Sequence, residues 1–547
     1  MKRTKNLLIL LLSLVCAICC AFALTACGDN GNSEEGGSTP EPEVYTEGLE
    51  YTLNDDGISY SCTGIGTAED TDIVITKEYE GLPVTAIGNS AFKGYTSLTS
   101  LLIPDSVTSI GNSAFSNCTS LTSATIPDSV TSIGNSAFSN CTSLTSATIG
   151  EGASSIGVSL FYGCTNLEKV YWNAVSLKSH AFLNCSALTT VVIGDKVQSI
   201  PENTFYGCTN LDSVYITDIA NWCNISFDDT PFTYANNLYL NNQLVTKLEF
   251  PENVTSISAH AFKNCRSLTS VTISNNVNSI GNFAFSGCAN LANVTIGRGI
   301  TSISRGAFSD CTSLTNVNFS NRVSWIRESA FSGCTSLKTV TVPNSVGAIG
   351  LGAFSGCTSL ESISIPFVGA DRNGSSGHFG YIFGSNLIDN STVPSLLKNV
   401  IITNGTQICR SAFDGCSSIT SVIILKGVTT IDGYAFQNCT RLKTISIPDS
   451  VTNIGPDAFK KCYNLKSIII GKAVTQIHGA FSNSIRLESV YYTGTAEQWE
   501  EIDVSNSNTS LINATIYYYS EENPFVGGVT AGNFWHYVDG EPTIWVK

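Results

Sequence analysis

Charge is scarce in this chain. Asp, Glu, Lys and Arg make up 13% of its 547 residues, about half the share usual in soluble domains. Ser and Thr take their place. Only 28 Lys and Arg stand against 44 Asp and Glu, a net charge of −16. A chain so poor in cations cannot neutralise a phosphate backbone, which excludes nucleic acid as a partner. Histidine is scarcer still, with five in the whole length. His180 and His260 occupy one repeat slot that elsewhere holds Ser113 or Ser136, so they read as variants of a surface position. His378, His478 and His536 have no partner at ligand spacing. The sequence also lacks H-E-x-x-H, G-x-S-x-G, a P-loop and calcium-binding nonapeptides. Nothing supplies a nucleophile, a base and an orienting group together. The chain is expected to be no enzyme and to need neither cofactor nor metal.

Its one long apolar run lies at the start. Lys2, Arg3 and Lys5 precede Leu7–Leu24, and small residues lead to Leu24-Thr25-Ala26-Cys27. This is the layout of an export signal. Its end resembles the lipobox of bacterial lipoproteins, which implies cleavage before Cys27 and lipid on that cysteine. An uncleaved anchor is the alternative, since about 18 apolar residues nearly span a bilayer. Either way the remainder is exported and tethered to the membrane. Residues 28–43 have no large apolar side chain to bury and read as a disordered acidic linker. Cys16 and Cys19 fall inside the leader and form no metal site.

What fills the rest is repetition. Residues 104–126 recur letter for letter at 127–149, and looser copies continue almost to the C-terminus. Phe returns every 23 residues nearly throughout, and a Cys follows it three residues later from Cys118 to Cys462. The first and last copies carry Tyr95 and Ser484 instead, as capping units would. Within a unit, Leu268-x-x-Val271-x-Ile273 alternates and predicts a short strand. A second extended piece such as Val277–Ile280 follows. Gly281 and the Ala-Phe segment are expected to turn back, partly as helix. One unit buries too few apolar side chains to offset the entropy of ordering its backbone, so neighbours must share a core. The array is therefore a solenoid of about 17 coils, roughly 80 Å long at strand spacing.

The signature I-G-x-x-A-F-x-x-C-x-x-L resembles the BspA-type leucine-rich repeat family of surface proteins. The resemblance implies a leucine-rich-repeat-like, right-handed coil stack with short parallel strands and a β-rich N-terminal cap. It further implies a cell-surface protein that binds macromolecules without catalysis, by adhesion to host or bacterial surface proteins. The expected organisation is a signal peptide at 1–26, lipidated Cys27 and linker at 27–43, and the cap at 44–84. Repeats then fill 85–217, 248–366 and 407–490, and a C-terminal cap covers 491–547. Residues 218–247 and 367–406 interrupt the array as functional loops or as degenerate coils. Their aromatics Trp222, Phe227, Phe232, Tyr381 and Phe383 favour packed coils.

Exported cysteines usually pair. Here the thirteen periodic ones would stack about 4.8 Å apart on parallel vectors, which is poor bridging geometry. A ladder of buried free thiols is expected, suited to an anaerobic habitat; Cys62, Cys223 and Cys409 lie off it. The candidate binding face is the middle position of each V-x-I strand: Thr125, Thr148, Thr272, Thr295, Asn318, Thr341, Ser364 and Ser446. Stacking would align these into a neutral, hydroxyl-rich stripe for an extended extracellular protein or glycan. Exposed strand positions favour Thr in any case. The alternatives are sugar binding by Trp499, Trp535, Tyr537 and Trp545, or a structural spacer that self-associates.

Overall fold

The computed structural model describes residues 45–546 except 176, 387, 388, 506, 527 and 530. The expectations placed on residues 1–43, lipidation of Cys27 among them, lie outside the described residues.

Each coil is built from very little regular structure. In residues 127–149, Ser132–Ile133 forms one short strand and Ser146–Ile149 the other. The longer strand alternates half-exposed and buried positions, so Ala147 and Ile149 enter the core while Thr148 faces out. Between the strands, Ala137, Phe138, Cys141 and Leu144 are fully buried. The expected helix at the Ala-Phe segment is absent. Ser136 and Asn140 flank it in the left-handed region, at φ of 56° and 57°, and such residues interrupt a right-handed helix. The backbone between them bonds across coils instead, with Phe115 N–H donating to Ala137 O at 2.8 Å.

Three backbone ladders therefore hold the stack. The main ladder joins the longer strands in parallel register, Ala147 beside Ala124 and Thr148 beside Thr125. The second joins pairs such as Ser109–Ile110, Ser132–Ile133 and Ser155–Ile156. The third runs through the Phe turns. The glycine after Ile133 is explained by close approach. A Cβ on Gly134 would sit 2.4 Å from Asn112 N. Beneath these ladders the Phe rings stack, Phe115 on Phe138 with centroids 5.0 Å apart. Most periodic thiols donate to the Phe carbonyl one coil back, as Cys141 does to Phe115 O at 3.2 Å, whereas Cys265 instead lies 3.4 Å from Ser267 Oγ. All described cysteines are free, and only Cys409 is not buried.

The solenoid has about 20 turns rather than 17. The additional strands are Asp72–Val74 in the cap, Lys247–Glu249, and Thr515–Tyr519 near the end. None follows an Ala-Phe-x-x-Cys turn, so the period does not announce them. At the start, Glu50–Leu53 and Tyr60–Gly64 form an antiparallel pair that leads into Leu82–Ile87.

Both interruptions are packed coils. The helix Ile219–Asn224, capped by the Asp218 side chain, buries Trp222, whose indole donates to Ala261 O at 3.0 Å. Asn237–Leu240 then rejoins the main ladder beside Ser213–Ile216. In the second interruption Phe379 takes the place of the repeat Phe and donates to Ala412 O at 2.8 Å. Asn399–Ile402 sits between Ser362–Ile365 and Ser421–Ile424. His378 is buried there, with Nε2 3.1 Å from Ser385 O.

Candidate functional site

The outward side of the main ladder is the surface that the repeat itself builds, because every second residue of each longer strand must point away from the core. All eight expected residues occupy it. Thr125 and Thr148 are neighbours, as are Thr272, Thr295 and Asn318. Thr341 pairs with Ser364. Ser446 stands apart from these, between Ile423 and Ile469.

The continuous hydroxyl stripe must accordingly be corrected. Following Thr148, the same row passes through Tyr171, Val192, Tyr215 and Tyr239. Following Ser364 it passes through Ile401 and Ile423, and after Ser446 through Ile469, Tyr491 and Tyr517. Two aromatic and aliphatic patches thus bracket a hydroxyl-rich centre. Glu249 is the one charge at a middle position among the described strands. These apolar residues were present in the pattern as the middle letters of V-Y-W, V-Y-I, L-Y-L and V-I-I. Selecting hydroxyls along the row concealed them.

Geometry gives the patches their chemistry. Tyr215 and Tyr239 stack with ring centroids 4.4 Å apart and planes within 8°. Tyr491 and Tyr517 stack at 5.5 Å and 27°. Stacking along the array turns ring faces toward neighbours and leaves edges and phenol oxygens outward. Burial, followed by the Tyr239 phenol, raises the Tyr215 pKa. Burial likewise raises that of Tyr491.

The C-terminal aromatics are arranged differently from a row of sugar platforms. Trp535 is fully buried, donates to Tyr492 O at 2.9 Å and meets Tyr491 edge-on. Trp499 meets Tyr492 at 69°. Trp545 lies flat on His536 at 3.6 Å. The hairpin of Phe534–Val538 and Glu541–Ile544 leaves a slot of about 310 Å³ above Ile423, Ser446 and Ile469, with Tyr537 and Pro542 on its other side.

The histidines stand apart from one another. His180 and His260 are half-buried and occupy left-handed slots, at φ of 66° and 62°. His260 stacks on Phe283, and burial lowers its pKa. His478 lies 3.4 Å from Gln476 Oε1. Among the described residues, no three His, Cys, Asp or Glu side chains gather as a metal site would require.

A family model described as the BspA type leucine rich repeat region matches six copies, over residues 85–212, 233–361 and 391–510. No curated protein matches the sequence. Among solved structures, a leucine-rich repeat protein from Bacteroides ovatus is 23% identical, covering 87% of this chain and 99% of its own, with a TM-score of 0.38. A leucine rich cell surface protein from Faecalibacterium prausnitzii is 25% identical over 85% of this chain and 98% of its own, with a TM-score of 0.30. A leucine rich repeat protein from T. pallidum is 21% identical over 46% and 90%, with a TM-score of 0.24.

Proposed function

The chain belongs to the BspA-type leucine-rich repeat family, and from that membership we propose that it is an exported, lipid-anchored surface protein that binds a protein partner without catalysing a reaction. Adhesion to a host or bacterial surface protein is the role this implies. The observation that carries the reading is the pair of apolar patches on the outward main ladder. Tyr-rich patches with little charge characterise the centres of protein interfaces. A long parallel array presents them as a broad, shallow surface, which fits a macromolecule better than a small substrate.

The stacked tyrosines also weigh against the glycan alternative. Sugar rings rest on exposed aromatic faces, whereas Tyr215 and Tyr239 spend a face on each other. The test is an array of extracellular matrix proteins, mucins and bacterial glycans, probed with the chain carrying Cys27→Ser. Saturable capture by a protein is expected, weakened about tenfold or more by Tyr215→Ser combined with Tyr239→Ser. Capture by glycans alone would replace the reading with sugar binding. Silence on the array, with concentration-dependent assembly in sedimentation, would replace it with a structural spacer.

A further inference from the structure

The outward face is not smooth. A depression of about 420 Å³ opens where Thr148, Tyr171 and Val192 succeed one another. Its floor is apolar, formed by Tyr171 and Val192 with the buried Trp172 beneath. Its rim carries three exposed carboxylates, Asp128, Glu151 and Asp195, against one cation, Lys196. That lysine reaches Glu151 only at 4.0 Å, with both side chains about half exposed, and such a pair neutralises little. Two of the carboxylates are held in place by this chain's own donors. Asp128 accepts from Glu151 N–H at 2.9 Å, and Asp195 accepts from the Thr217 hydroxyl.

The chain already shows what the floor attracts. The Lys169 ammonium lies 4.6 Å from the centre of the Tyr171 ring, within the range of a cation–π contact. A comparable depression farther along makes the contrast. Beside Thr272 and Thr295 the rim is Asn275, Arg298 and Asn321, with no carboxylate. The depression thus recurs with the repeat, while the acidic rim belongs to this one.

We propose that the depression at Tyr171 receives an arginine or lysine side chain from an extended segment of the protein partner. The methylene stem lies on Tyr171 and Val192, and the head group meets the rim at Glu151 and Asp195. Long cationic side chains bury their stems on apolar surface while keeping the charge in water. Arginine suits the site better, because a planar guanidinium both stacks on an aromatic ring and pairs with carboxylates. The net charge of −16 draws such segments in from a distance. This inference rests on the protein-binding reading and specifies its partner.

The test uses the full chain and two fluorescent peptides of alternating threonine with either arginine or citrulline, at about 0.15 M salt. Citrulline keeps the shape of arginine and removes its charge. Anisotropy is expected to show the arginine peptide binding about tenfold tighter or more. Glu151→Gln combined with Asp195→Asn should abolish most of that difference. Glu361→Gln combined with Glu488→Gln removes as much charge from exposed positions elsewhere and should leave it within about twofold. Equal binding of the two peptides, binding of neither, or equal losses from both pairs of substitutions would overturn the inference. Should that happen while a protein on the array is still captured through Tyr215 and Tyr239, the function stands and only the cationic anchor is lost.

Discussion

The thiol of Cys118 donates to Phe92 O at 3.1 Å, and that of Cys462 donates to Phe436 O at 3.2 Å. Each is a small apolar group with one weak hydrogen bond to satisfy. Burial pushes both up to about 12, and most of the periodic thiols are raised in the same direction for the same reason. Ser484 shows what the slot requires, since its hydroxyl makes the same bond to Phe459 O at 2.5 Å. A thiol whose pKa rises on folding stabilises the fold fully below the unfolded value near 9. Above that, the unfolded chain ionises while the folded one does not, so stability falls as pH climbs from 9 toward 12. The loss is roughly 1 kcal/mol per thiol per pH unit, repeated along the ladder. Thermal melts between pH 8 and 11 should therefore show a steep decline that begins near pH 9. Among the described cysteines, site-resolved alkylation at pH 8 should modify Cys409 first, because the others are buried. Rapid alkylation of Cys288 or Cys311 in the native protein would contradict the closed ladder.

Within a coil, the decisive element is the double turn around the Phe. Ser113, Ser136 and Ser159 hold φ of 55°, 56° and 59°, and Gly306 and Gly352 take the same slot farther along. A β-branched side chain is badly strained in that region. Ser136→Val is expected to cost about 1–3 kcal/mol, whereas Ser136→Gly should stay within about 0.5 kcal/mol. Chemical denaturation of the two variants compares them directly, and equal stability would mean that the third ladder does not enforce the turn. This element also marks how far the sequence could be read. The Leu-x-x-Val-x-Ile alternation located the longer strands, and the 23-residue period located the coils. The Ala-Phe turn is not the partial helix that its local sequence suggests, because its bonding partners are one period away. No local propensity records an N–H that finds its acceptor in the next coil. The binding face was legible in half. Thr125 and Thr148 stand where the alternation put them, but Tyr171 and Tyr215 continue the same row. A patch on a stack depends on reading one letter from every coil, apolar letters included.

Across residues 45–546, stability passes between neighbouring coils, so the stack is as cooperative as its weakest junction. That junction lies at residues 236–267. The main ladder ends there in a short antiparallel pair, Tyr239 beside Leu244, and a new sheet begins at Lys247–Glu249. The second ladder pauses between Ser226–Phe227 and Ser256–Ile257, which belong to separate sheets. Bonds that cross include Ser258 N–H to Cys223 O, Ser267 N–H to Asn236 O, Leu238 N–H to the Ser267 hydroxyl, the Arg266 guanidinium to Asn236 Oδ1, and the Trp222 indole to Ala261 O. Regular coils elsewhere are joined by ladders on several sides, so local opening should concentrate at this seam. Native-state hydrogen exchange should then resolve two cooperative units that meet between Leu240 and Lys247. Trp222→Ala removes the largest side chain at the seam and should cost about 3–5 kcal/mol. Its effect should reach farther than the missing contacts, separating one denaturation transition into two as the halves lose their coupling. A single transition in that variant, with uniform exchange on both sides, would mean that the shared apolar core couples the halves without continuous ladders. The acidic depression at Tyr171 and the patch at Ile423 lie on opposite sides of the seam. A partner that engages both would bind the closed stack more tightly than any form opened at the seam, and would raise the protection of the seam itself.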